Sequence, residues 1–146
     1  RQHGLAAHDL LLEITESVMM DAREVTQENI ELLSQQGFRL SLDDFGTGYS
    51  SLSYLHRLPI TELKLDKSFV QDLEHSETAR ALTISVLSIA KSLGMTVVAE
   101  GVETSQQCRW LKEHGCEVMQ GYLLGRPMPA HMLHAWSLEA SAVCCS

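Results

Sequence analysis

No apolar run in the sequence approaches the roughly 20 residues that a membrane span needs, so no membrane segment is expected. No charged stretch followed by an apolar one opens the chain, and no secretory signal is read there. Cysteine is sparse: Cys108, Cys116, Cys144 and Cys145 form no CxxC pair and no framework spacing. That argues against a disulfide scaffold and for a reducing compartment. Positive charge is also short. Eleven Lys and Arg stand against 19 Asp and Glu, a formal charge of −8, which argues against a surface that coats DNA or RNA. Linkers and low-complexity stretches are missing, apart from a small-residue tail read as disordered over 141–146.

What remains is ordinary core-forming material. Hydrophobic residues make up 45% and charged residues 21% of 146 residues, enough for one domain, read here over residues 1–140. Five short apolar, β-rich runs are each followed by a helical pattern. The runs are Leu10–Thr15, Phe38–Leu42, Glu62–Leu65, Thr96–Ala99 and Cys116–Met119. Asp21 and Glu24 have capping-box spacing and open a helix that Gly37 closes. A second helix spans about Glu77 to Leu93, with Ala79, Leu82, Val86, Ile89, Ala90 and Leu93 on one stripe. Thr104 or Ser105 caps a third, which stops at Gly115. A last helix covers about Ala130 to Ala140, and a short one Ser50 to Leu58. Alternating strands and helices imply a parallel sheet in an α/β fold.

The polar residues fall at the strand ends. Glu13 and Glu16 close the first run, Asp43 and Asp44 the second, Lys64 and Asp66 the third, Glu100 and Glu103 the fourth, Gln120 the fifth. Acids at such places also serve as helix caps. Glu13 and Lys64, however, lie inside their apolar runs, where capping does not apply. Parallel sheets and barrels bring the C-terminal ends of their strands together at their active sites. The strands recur about every 26 residues, so eight units would need about 210, near the size of a closed (β/α)₈ barrel. Five units fit either an open five-stranded sheet or part of such a barrel.

The segments Leu12-Glu13-Ile14-Thr15-Glu16-Ser17, Asp43-Asp44-Phe45-Gly46-Thr47-Gly48-Tyr49-Ser50-Ser51-Leu52 and Leu63-Lys64-Leu65-Asp66 resemble the motifs of EAL domains, bacterial phosphodiesterases that linearise cyclic di-GMP. Val98-Ala99-Glu100-Gly101-Val102-Glu103-Thr104 and Gln120-Gly121-Tyr122 do so as well, in the family's order. The resemblance implies five parallel βα units of a TIM-like barrel, the C-terminal five-eighths of the domain. The Glu-Ala-Leu strand that names the family and the asparagine of the next strand would then lie outside the chain, with roughly 90–100 residues wanting at the front.

The resemblance also implies roles. Glu13, Asp43, Asp44 and Glu100 are metal ligands for two Mg²⁺ or Mn²⁺ ions, hard cations that take carboxylate oxygens. Lys64 holds the attacking water or a phosphate oxygen, and Glu100 is the general base or a further ligand. Glu103 and Gln120 complete the substrate site, although Glu103 also fits a helix cap. Glu16 steadies the loop Phe45-Gly46-Thr47-Gly48, which in the family contributes to a dimer interface. The partner implied is cyclic di-GMP, the product linear pGpG, the location the bacterial cytoplasm, and the assembly a homodimer or larger. With two ligands outside it, the chain alone is expected to bind metal weakly and hydrolyse little.

The residues admit other readings. A non-catalytic cyclic di-GMP receptor or interaction module keeps the motifs without turnover. A lyase or isomerase barrel would use Lys64 as base or Schiff-base amine. Asp44-Phe45-Gly46 spells the kinase magnesium motif, but no G-x-G-x-x-G loop or H-R-D segment accompanies it. His131 and His134 read as surface residues, Trp110 and Trp136 as core or lid, and Arg126 as either a substrate contact or a salt-bridge partner.

Overall fold

A computed structural model describes residues 4–19, 24–46 and 55–140. Five parallel strands form one sheet in the order β1-β2-β3-β4-β5: β1 Leu11–Thr15, β2 Arg39–Phe45, β3 Glu62–Leu65, β4 Thr96–Ala99 and β5 Val118–Met119. The helices between them are α1 Glu16–Met19, α2 Glu24–Gln35, α3 Lys67–Asp72, α4 Glu77–Ser92, α5 Ser105–Glu113 and α6 Leu133–Ala140. This is the α/β succession expected, with each strand paired to the next in sequence. Asp21 and residues 50–54 of the short helix expected over Ser50–Leu58 lie outside the described residues, as does the 141–146 tail; of the rest, Leu55 is helical and residues 56–58 turn away. No helix among the described residues is long and apolar enough to cross a membrane.

One local device sets where three strands begin. Gly37, Gly94 and Gly115 hold φ values of 91°, 69° and 85°, left-handed conformations that glycine adopts without a Cβ penalty. The next residue then returns its N–H to the helix just ended: Phe38 to Leu33, Met95 to Ala90 and Cys116 to Leu111. These are Schellman closures. They explain why β2 and β5 start later than the apolar runs suggest, at Arg39 and Val118 rather than Phe38 and Cys116: those amides belong to helix ends.

Side chains alternate across the sheet. Leu40, Leu42, Leu63, Leu65, Val97 and Ala99 point to one face and form the core with Val70, Val86, Leu87, Ala90 and Leu111 of the helices. Ser41, Asp43, Glu62, Lys64, Val98 and Glu100 alternate with them and take the other face. All four residues of β3 are buried, so both faces of that strand are covered. The α4 stripe differs from the one expected. Ala79, Thr83, Val86, Leu87 and Ala90 are buried, while Leu82 and Leu93 are exposed at 48% and 40%. The sheet contacts the turn positions four and seven residues on from Ala79, which seats the polar Thr83 in the core and leaves Leu82 on the flank.

β2 runs three residues further than the apolar pattern, through Asp43, Asp44 and Phe45. Its register with β3 steps from Leu42↔Leu63 to Phe45↔Leu65, so β2 carries one extra residue there. Asp44 takes up the extra residue with φ 57°. Such a bulge leaves one residue unpaired and re-aims its neighbours. Phe45 is thereby returned to the core, at 4% exposure, although its parity alone would put it on the opposite face.

Candidate active site

Lys64 is the centre of the arrangement. It stands in the middle of β3, 8% exposed, on the face opposite the core. Its Nζ lies 2.8 Å from Glu100 Oε1, 3.0 Å from Glu13 Oε1 and 3.1 Å from Asp43 Oδ1. Four strands therefore deliver one ammonium and three carboxylates to a single point. Register explains it: Glu13 pairs with Ser41, and Lys64 pairs with Val98 two residues before Glu100. Burial alone would pull the Lys64 pKa down. The contacts with Glu100, Glu13 and Asp43 outweigh it and raise the pKa well above the ordinary lysine value, so the amine stays protonated.

The Asp43 contact is an ion pair rather than an aligned hydrogen bond. Asp43 Oδ1 is buried and has no hydrogen-bond partner among the described residues. An anionic oxygen in that condition is costly unless a cation compensates it. Asp44 follows on the bulge, with its side chain exposed. The bulge answers the objection that neighbouring aspartates of a strand face opposite ways, because Asp44 has left the regular strand conformation.

Glu103 and Gln120 do not touch Lys64. With Glu100 they line an adjoining recess of about 260 Å³ that also takes in Gln71, Gly101 and Tyr122. Backbone bonds stitch its two walls together. Val102 donates to Gln120, and Leu123 donates to the carbonyl of Val102, at 3.0 and 3.1 Å. The walls approach so closely at Gly121 that a Cβ there would lie 2.1 Å from the Val102 carbonyl oxygen. Glu103 is not the helix cap. Thr104 caps α5, accepting from Gln107 N, while Gln107 Oε1 accepts from the amides of Glu103 and Thr104.

Asp66 is the strand-end acid that stands apart. It caps α3, accepting from the Ser68 amide at 2.9 Å and the Ser68 hydroxyl at 2.5 Å. Burial favours its neutral form, but the Ser68 bonds and the Lys67 amide and charge hold the carboxyl below its usual range. Glu16 opens α1, 7% exposed, with Oε2 buried and unpartnered among the described residues. Phe45 and Gly46 end the described part of the loop, whose Thr47 and Gly48 lie outside the described residues. Gly46, at φ 98°, rests against the Phe69 ring.

Arg126 lies 4.3 Å from the centre of the Tyr122 ring, a cation–π contact. Trp136 donates from Nε1 to the Leu124 carbonyl and packs on Gly125, and Trp110 stacks on His114, so both indoles are structural. His131 and His134 are exposed. Cys108 and Cys116 are buried and take part in no disulfide; burial raises the Cys116 pKa despite its backbone contacts, which makes it a poor nucleophile. A larger cavity, about 490 Å³, opens at the opposite end of β4 around Leu87, Lys91, Met95 and Thr96. It holds none of the strand-end acids.

Three features of the candidate site lie outside those expected from the sequence. Gln107 anchors the turn after Glu100 and is recognisable in retrospect from the Thr104-x-x-Gln107 capping-box spacing. The Asp44 bulge has no glycine to announce it. Ser41, fully buried with its hydroxyl unpartnered among the described residues, sits one step below Asp43 on the same face.

Comparison with known proteins agrees with this geometry. The EAL domain family model matches residues 1–127. The bifunctional diguanylate cyclase/cyclic di-GMP phosphodiesterase MucR of Pseudomonas aeruginosa is 46% identical over 134 residues, which are 92% of this chain and 20% of that protein. The cyclic di-GMP phosphodiesterase NbdA of the same organism is 48% identical over 144 residues, 96% of this chain and 18% of that protein. The chain thus spans about a fifth of the length of these relatives. A solved MucR phosphodiesterase complex with c-di-GMP superimposes with a TM-score of 0.86 at 45% identity, covering 90% of this chain and 53% of that one. BlrP1 of Klebsiella pneumoniae, solved with manganese and cyclic di-GMP, gives 0.80 at 38% identity, covering 86% and 32%. Five parallel βα units, the strand-end carboxylates gathered on a lysine and a family match over 127 residues lead to one conclusion: the chain belongs to the EAL domain family and makes up part of such a domain.

Proposed function

We propose that the rim formed by Glu13, Asp43, Lys64 and Glu100 is the metal and phosphate site of a hydrolase that opens cyclic di-GMP to linear pGpG. The observation that carries the reading is the convergence of three carboxylates from three strands on one protonated lysine. The donor set consists of hard oxygens, and the buried Oδ1 of Asp43, which among the described residues has its ion pair with Lys64 but no hydrogen-bond partner, is an acceptor suited to a hard divalent cation. Glu13, Asp43, Asp44 and Glu100 would hold Mg²⁺ or Mn²⁺. Such ions, when bound, make a water nucleophilic near neutral pH and offset charge on the phosphoryl oxygens.

The chain's own residues supply the rest. Lys64, kept as an ammonium, orients the attacking water or a phosphate oxygen by charge and cannot act as the base. Glu100, across the ion pair from it, is placed to accept the proton of the water. Glu103 and Gln120 offer an acceptor and an amide to the nucleotide in the adjoining recess. The protonated state of Lys64 weighs against the Schiff-base reading, since only the neutral amine attacks a carbonyl.

A second reading keeps one supporting observation. Among the described residues no group of three acids, histidines or cysteines is arranged to hold a metal by itself. We therefore propose that residues 1–140 form the C-terminal portion of the catalytic domain and that the 146-residue chain alone turns over little substrate. The test is release of pGpG, followed by chromatography, from cyclic di-GMP with Mn²⁺. The intact protein should be active and its Asp43→Asn variant inactive. Undiminished turnover by that variant refutes the role of Asp43, and metal-dependent turnover by the 146-residue chain alone refutes the incompleteness of the site.

A further inference from the structure

We infer that Gln107 is a positioning residue, the keystone of a hydrogen-bonded buttress that fixes the turn carrying Glu100 and Glu103. Gln107 belongs to the first turn of α5 and is 5% exposed. Its Oε1 accepts two backbone N–H groups at once, from Glu103 at 2.8 Å and Thr104 at 3.0 Å. A buried amide that spends its acceptor on the residues beside a carboxylate rim governs where that rim stands. The backbone N–H of Gln107 donates to Thr104 Oγ1 at 3.1 Å, so the two residues lock each other.

The lock is tied to the rest of the fold. Thr104 Oγ1 donates to Glu74 Oε1 at 2.5 Å, across 30 residues of sequence. Glu74 is in turn held by Arg80, whose Nη2 donates to the Glu74 carbonyl and whose Nε donates to that of Leu73. The path Arg80–Glu74–Thr104–Gln107 thus connects α4 to the turn at Glu103. The turn itself has little freedom elsewhere. Glu100 N is bonded to Leu65, Val102 N to Gln120, and Gly101, at φ 71°, presses on Lys67. Glu103 N and Thr104 N are the amides that close it, and both close onto Gln107.

The inference rests on the hydrolase reading for its kinetic consequence, but not for its structural one. Gln107→Leu keeps the volume and removes the acceptor. Gln107→Glu keeps an acceptor in the same place, as the alternative residue of a capping box. Leu111→Ala, a turn further along the same helix and 0% exposed, destabilises that helix at the end away from Glu103, where its carbonyl accepts from His114 and Cys116. In the intact protein with Mn²⁺, Gln107→Leu should lower kcat about tenfold with KM changed less than about twofold. Gln107→Glu should remain within about twofold of wild type, and Leu111→Ala should lose melting temperature but not kcat. Hydrogen exchange at the Glu103 and Thr104 amides should accelerate in Gln107→Leu alone. Equal kcat for Gln107→Leu and Leu111→Ala, or unchanged exchange at those two amides, overturns the inference. If the wild-type protein does not hydrolyse cyclic di-GMP, the functional reading falls, and the exchange comparison still decides whether Gln107 holds the turn.

Discussion

Replacing Lys64 with Met probes the site most directly, because it removes the cation and keeps the volume of the side chain. At an effective dielectric of about 20, unit charges 3 Å apart attract by about 5 kcal/mol. The Glu100 and Asp43 side chains are 20% and 24% exposed and feel most of this, whereas Glu13 is 50% exposed and largely screened by water. Against the attraction stands the desolvation of the ammonium, several kcal/mol. Removing one partner of a buried ion pair costs about 3–5 kcal/mol, and the exposure of Glu13 sets the expectation at the lower end, about 3 kcal/mol. Urea unfolding of the intact protein at pH 7 in EDTA should show that loss. Mn²⁺ at a hundred times its dissociation constant returns about 2.7 kcal/mol. It should stabilise Lys64→Met more than wild type, because the ammonium no longer competes for the same carboxylates. The pH profile follows from the raised Lys64 pKa. Its contribution is complete below the unfolded value near 10.4 and fades as pH climbs toward the folded one, so wild type and variant should converge only in strong alkali. Equal stability of the two proteins in EDTA, or equal gains from Mn²⁺, refutes the account.

Gly121→Ala should be more damaging than an ordinary glycine substitution, because its Cβ meets the Val102 backbone; we expect a loss of about 2–3 kcal/mol by chemical denaturation and a parallel loss of substrate affinity. Asp66→Ala should cost about 1 kcal/mol at pH 7 as a lost cap, with activity retained. Its depressed folded pKa contributes stability above the unfolded value that disappears as pH falls through the folded one, so wild type and variant should merge in acid thermal melts. Among the described residues β1 and β5 are the edges of the sheet, so the 146-residue chain on its own should self-associate in light scattering; a monodisperse monomer contradicts this.

The parts of the site that could be read without coordinates were those that break a pattern. A lysine inside Leu63-Lys64-Leu65 and a glutamate inside Leu12-Glu13-Ile14 have no place in an apolar strand unless they meet one another, and they do. Glycines at helix ends were equally legible, since Gly37, Gly94 and Gly115 need left-handed backbone. What stayed hidden follows patterns instead of breaking them. Thr83, Ser41 and Gln107 are polar residues in amphipathic stretches, where polarity ordinarily marks the wet side. Only the packing of helix on sheet, and of one turn on the next, shows that they are covered. Asp66 misled in the opposite direction: it stands at a strand end like the others, but the following turn claims its oxygens for Ser68. The extra residue at Asp44 was invisible because pairing register is a property of two strands, and neither sequence carries it alone.

The alternation along β2, β3 and β4 divides labour by parity. Leu40 and Leu42, Leu63 and Leu65, Val97 and Ala99 form the core, while Ser41, Asp43, Lys64 and Glu100 between them line the candidate site. Substitutions among the carboxylates of the second set leave the packing of the first in place, whereas loss of Lys64 leaves those carboxylates uncompensated. The single inserted residue at Asp44 is the exception to that independence. Deleting it would exchange the two sets from Phe45 onward, and a change of length there would disturb both site and core.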